Sequence, residues 1–74
     1  MTILRKSALV FTCIDDYWLI EATDDVAQTW LYETAPDDAD WDDNGRLIEP
    51  REIVDVMAAA KAAGLQVRLQ VAVV

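Results

Sequence analysis

The spacing of hydrophobic residues changes character along this chain. Ala8 to Ile14 is an apolar run broken only by Thr12 and rich in branched and aromatic side chains, which predicts a central strand. Asp15-Asp16 interrupts it. Tyr17 to Ala22 then resumes the strand pattern, so the two segments predict a hairpin. Thr23-Asp24-Asp25 breaks the chain again. Gln28 to Thr34 predicts a third strand, because Thr29, Trp30, Tyr32 and Thr34 favour sheet. The competing reading of that segment is a short helix capped by Thr23, with Val26, Trp30 and Leu31 inward.

Pro50 to Ala63 predicts a helix. Proline suits the first helical position, where its missing N–H costs nothing. Glu49 and Glu52 lie near the positive end of the dipole. Ile53, Met57 and Ala60 form an apolar stripe, and the alanines of 58–63 carry high helix propensity. Gly64 is placed to end the helix as a left-handed residue, with Leu65 packing back on the last turn. From Leu65, period two takes over: Leu65, Val67, Leu69, Val71 and Val73 alternate with Gln66, Arg68 and Gln70.

These elements predict one α+β domain over 1–74. It is a small antiparallel or mixed sheet of about four strands with one helix on one face, in the order β-β-β-α-β. A helix is ~10–12 Å wide, and strands lie ~4.8 Å apart, so one helix covers one face. Leu9, Phe11 and Cys13 on one strand, with Trp18 and Ile20 on the next, suggest that the other face is not polar. A homodimer or a partner-binding surface through that face follows as an expectation.

Composition sharpens the functional side. Fourteen Asp/Glu stand against six Lys/Arg, a net charge of −8. That opposes direct binding to nucleic acid, which needs a positive field to displace counterions, and to anionic membranes. No apolar run approaches the ~20 residues of a membrane helix. The start of the chain, Met1 to Lys6, does not read as a signal peptide. The chain has no histidine and one cysteine, Cys13, which disfavours His-dependent nucleophiles, zinc fingers and a disulfide framework. There is one serine and no Gly-rich phosphate loop, so a non-enzymatic protein without a cofactor is expected, in the cytoplasm of a bacterial or virus-infected cell. A chain of this length buries only about 60% of its unfolded surface, and the charge excess lowers its stability further by self-repulsion.

The chemistry concentrates in an acidic loop, 36–46, between the strand-rich half and the helix. Five of the seven residues from 37 to 43 are aspartates: Asp37, Asp38, Asp40, Asp42 and Asp43, with Trp41 among them. Asp15, Asp16, Asp24 and Asp25 form pairs at strand ends. Three readings compete. One is a solvated loop, for which Asn44-Gly45 is a turn signal. Another is calcium, since Asp40 to Gly45 fits the first half of an EF-hand loop; its twelfth position is Arg51 where a glutamate is needed. The third is mimicry of nucleic-acid charge, in which Asp38, Asp40 and Asp42 line one side of an extended segment and Trp41 anchors a partner.

A very short, strongly acidic, histidine-free α/β domain with these aspartate groups resembles the small phage-encoded inhibitors of the anti-CRISPR type. The likeness is one of size and charge over the whole chain. It implies binding to a Cas protein or a surveillance complex, at a surface that accepts DNA. The expectation is therefore a protein inhibitor that engages a basic nucleic-acid-binding surface through Asp37, Asp38, Asp40, Trp41, Asp42, Asp43, Asp15, Asp16, Asp24 and Asp25. The alternative is a regulatory interaction domain that homodimerises through the uncovered sheet face.

Overall fold

The computed structural model describes residues 7–43 and 45–71. The chain start, Asn44 and Val73 lie outside the described residues. The apolar run forms strand β1 (Ala8–Ile14), and Asp15-Asp16 turns it into β2 (Tyr17–Ala22). Asp15 has φ 48°, the left-handed conformation that a two-residue hairpin loop requires.

The next segment corrects the expected third strand: Asp25–Thr34 is helix α1. Local capping and packing outweigh the strand propensity of its residues. Asp24, and not Thr23, is the N-cap, its carboxylate accepting from the Ala27 N–H at 2.9 Å. Ala27 and Leu31, four apart, are fully buried. Thr29, Tyr32 and Thr34 are exposed, so no burial against a sheet neighbour rewards their β preference. Val26, expected inward, is exposed.

The 36–46 segment is also more ordered than a loop. It contains β3 (Asp40–Asp42) and the start of β4 (Gly45–Ile48), paired antiparallel. Pro50–Glu52 forms a single 3-10 turn, followed by α2 (Ile53–Ala62). The helix ends as expected. Gly64 has φ 87°, its N–H donates to the Lys61 carbonyl, and the Leu65 N–H donates to that of Ala60. This is a Schellman motif with Leu65 buried behind it. The chain finishes in β5 (Gln66–Val71), parallel to β1.

The fold is therefore α+β with a mixed sheet of five strands, in the order β3-β4-β2-β1-β5. The single expected helix is two. Connectivity explains their placement. β2 and β3 run in the same direction on either side of β4, and α1 links them. β4 and β5 run together on either side of β2 and β1, and α2 links those. The second crossover reverses both strand direction and lateral direction, so two connections of one hand place both helices on one face.

The core lies under them: Leu9, Phe11, Ile20 and Ile48 from the sheet against Ala27, Leu31 and Ala60 from the helices. The register puts Leu9, Phe11, Cys13, Trp18 and Ile20 together on this helix-covered face. They are not the lining of a second, bare face, as the sequence suggested. The residues that do point to the bare face are Val10, Thr12 and Ile14 of β1, Leu19 of β2 and Leu47 of β4. The last strand also departs from its pattern. Leu69 and Val71 are 62% and 75% exposed, because β5 is an edge strand whose end α2 does not reach.

Candidate functional site

Strand direction sorts the aspartates into two groups at opposite ends of the sheet. β1 runs up to Asp15-Asp16, and β2 runs down to Asp24-Asp25. α1 returns upward, so Asp37 and Asp38 precede β3 at the first end, and β3 descends to Asp42-Asp43. The two groups are about 23 Å apart along the seven-residue β1, but only about 13 Å apart along the short β3, where Asp40 lies between Asp38 and Asp42.

The end that carries Asp15, Asp16, Asp37 and Asp38 gains two carboxylates that the sequence reading assigned to the helix dipole. Trp18 pairs with Ile48, which sets Glu49 and Glu52 beside the β1–β2 turn. A depression of about 180 Å3 joins this junction to the segment before β3, with Asp38, Asp40, Glu49 and Glu52 on its walls. Strand spacing puts the β1–β2 turn and the segment before β3 about 10–14 Å apart. Asp15, Asp16, Asp37, Asp38 and Glu49 are exposed and Glu52 half-buried. Two cations neighbour these groups: Arg46 lines the depression, and the Arg51 Nε lies 2.8 Å from the Glu49 carboxylate. The C-terminus of α1 and the N-terminus of α2 both lie at this end, so their dipole charges offset each other. Chemically, the surface is a set of hydrated hydrogen-bond acceptors for guanidinium and ammonium groups.

The other expected site residues have structural work of their own. Asp24 caps α1 and accepts from the Ser7 hydroxyl at 2.8 Å. Asp25 lies in the first turn of α1, next to the positive end of the dipole. Asp43, at φ 56°, takes the left-handed turn position between β3 and β4. Asp40 and Asp42 alternate with Trp41, so both carboxylates project on the bare face while the indole projects on the helix face. Trp41 is half-buried against the core and stacks on Tyr32, so α1 accounts for it without a partner.

For calcium, the aspartates of 40–43 divide between a strand and a turn. Among the described residues no three His, Cys, Asp or Glu converge on a point that could hold a metal ion. No helix among them is long and apolar enough to cross a membrane.

One residue escaped the sequence reading altogether. Arg46, at the end of the expected loop, is a β4 residue buried beneath the helices. Its signal was the apolar pair Leu47-Ile48 that follows it, which marks a strand and not a loop end.

The chain matches no protein-family model, no curated protein and no solved structure.

Proposed function

We propose that this protein is a small acidic inhibitor that occupies the basic, nucleic-acid-binding surface of another protein, as an anti-CRISPR protein does with a Cas protein. The observation that carries the reading is the convergence of Asp15, Asp16, Asp37, Asp38, Glu49 and Glu52 at one end of the sheet, with Arg51 and the buried Arg46 as the local cations. Three separate connections deliver these carboxylates, so a folded scaffold fixes their spacing. A Lys/Arg groove built for phosphates meets an array of comparable charge density there. Association would be steered, fast and salt-sensitive. The opposite end contributes less, since Asp24 serves as a cap. The site is non-catalytic in this reading, and its role is to exclude nucleic acid. The test is inhibition by a variant with Asp15, Asp16, Asp37 and Asp38 changed to Asn. The reading predicts a folded protein that no longer inhibits, and unchanged inhibition would falsify it.

A second reading is favoured by the bare sheet face. Val10, Ile14, Leu19 and Leu47 are half-buried there, and no described element lies over them. A second copy related by a twofold axis parallel to the strands would set Arg68 of each β5 opposite Asp40 and Asp42 of the other β3. This self-complementarity selects that axis over the perpendicular one, which opposes like charges. Leu19→Lys should then convert dimer to monomer in sedimentation, and a monomeric parent at high concentration ends the idea.

A further inference from the structure

Arg46 stands where a cation is costly. Its side chain lies on the helix face, paired across the sheet with Ile20 and Trp41. The residue is 8% exposed. Its Nε has no hydrogen-bond partner, and no ion pair reaches it among the described residues. It floors a cleft of about 190 Å3 between the helices, walled by Trp30 and Thr34 of α1 and by Asp55, Val56 and Ala59 of α2. Burying a guanidinium without a counter-charge is strongly unfavourable. The other side of Arg46 opens on the depression lined by Asp38, Asp40, Glu49 and Glu52, but among the described residues none of these carboxylates comes within ion-pairing distance of it.

We infer that the inter-helix cleft binds a small carboxylate on an aliphatic body, held by the Arg46 guanidinium. Two coplanar oxygens match the guanidinium fork. A single negative charge is favoured over a phosphate dianion, because Asp55 shares the wall and the whole chain is acidic. Trp30, Val56 and Ala59 supply apolar contact for the ligand body. The cleft is smaller than the roughly 300 Å3 at which drug-sized ligands begin to fit, which limits the ligand to a short-chain acid or one residue at a chain terminus. The site lies between the helices, and its Arg46 also lines the depression at the acidic end of the sheet, so the two surfaces share one cation. Its competitors are internal: a side-chain rotation that pairs Arg46 with Asp55, or with a carboxylate of the neighbouring depression such as Asp38 or Glu52, would remove the site.

The test is a backbone amide NMR titration of the full chain with sodium isovalerate to about 50 mM, a range that resolves millimolar binding. Sodium chloride and isovaleramide serve as controls. Saturable shifts at Thr34, Asp55, Val56 and Ala59 are expected with isovalerate and with neither control. Arg46→Gln should weaken binding at least tenfold, in keeping with the loss of a charge-assisted bidentate contact, and Arg46→Lys should fall between. N-acetylglycyl-valine separates the two sources of the carboxylate: tighter binding than isovalerate points to a chain terminus, and weaker binding to a free acid. Equal shifts with chloride or isovaleramide would overturn the inference. So would shifts that survive Arg46→Gln, or no shifts at all, as expected of a cleft closed by an Arg46–Asp55 pair. If Arg46→Gln fails to fold, the isovaleramide comparison and Arg46→Lys still decide.

Discussion

Trp41 stacks on Tyr32, with ring centroids 4.7 Å apart and planes inclined at 32°. This contact ties the edge strand β3 to helix α1. It gives the tryptophan of the acidic segment a structural role, and stability and binding separate the two views of it. Trp41→Ala should destabilise the domain by about 2–3 kcal/mol, less than a fully buried tryptophan because the indole is half-buried. Urea unfolding checks this. An interface anchor would instead show unchanged stability and lost binding.

Asp24 accepts from the Ala27 N–H and from the Ser7 hydroxyl. Asp24→Ala should therefore cost about 1–2 kcal/mol, the usual range for a lost helix cap. Asp25→Asn, in the exposed first turn, should cost only a few tenths by the dipole effect. Thermal melts of the pair distinguish a capping aspartate from one that is merely nearby.

The two glycines resist substitution for different reasons. A Cβ on Gly45 would lie 2.6 Å from the Leu19 Cδ1 and 3.2 Å from the Ile20 carbonyl oxygen. Gly45→Ala should cost about 1–3 kcal/mol through overpacking between β4 and β2. A Cβ on Gly64 meets nothing within 4 Å, but φ is +87°. Gly64→Ala should cost about 1 kcal/mol from backbone conformation alone. A compensating Leu19→Ala change should rescue part of the first loss and none of the second, measured as unfolding free energy.

Arg46→Met keeps the length of the side chain and removes the buried charge. It should stabilise the protein by about 1 kcal/mol or more, because an unpaired charge is replaced by an apolar group of similar shape. A lower melting temperature for this variant would mean that the guanidinium has a strong partner within the fold.

The sequence disclosed those parts of the fold whose signals are local and redundant. The β1–β2 hairpin carries two apolar runs around a two-residue break. The α2 terminus carries Pro50, an alanine run and Gly64 in their preferred places. α1 reads as a strand in sequence because ten residues with a modest apolar stripe compete poorly with the β-branched and aromatic residues among them, until Asp24 and the sheet decide. β3 is three residues long, too short for a period to register. The acidic end could not be read at all in one dimension. It depends on strand direction, which brings Asp15 and Asp16 beside Glu49 and moves Asp42 and Asp43 away from Asp37 and Asp38. The bare face was anticipated, but its occupants were not, because the parity of each strand relative to the helices is set by the crossovers.

The central claim is that one end of the sheet, and not negative charge in general, is the recognition surface. The decisive measurement is competitive: capture of nucleic-acid-binding proteins from host lysate by the parent and by two variants of equal net charge. One variant carries Asn at Asp15, Asp16 and Asp37, and the other at Asp25, Asp42 and Asp43. The account predicts capture that falls steeply with salt, is displaced by added DNA or RNA, is lost in the first variant and is retained in the second. Equal capture by both variants would contradict it.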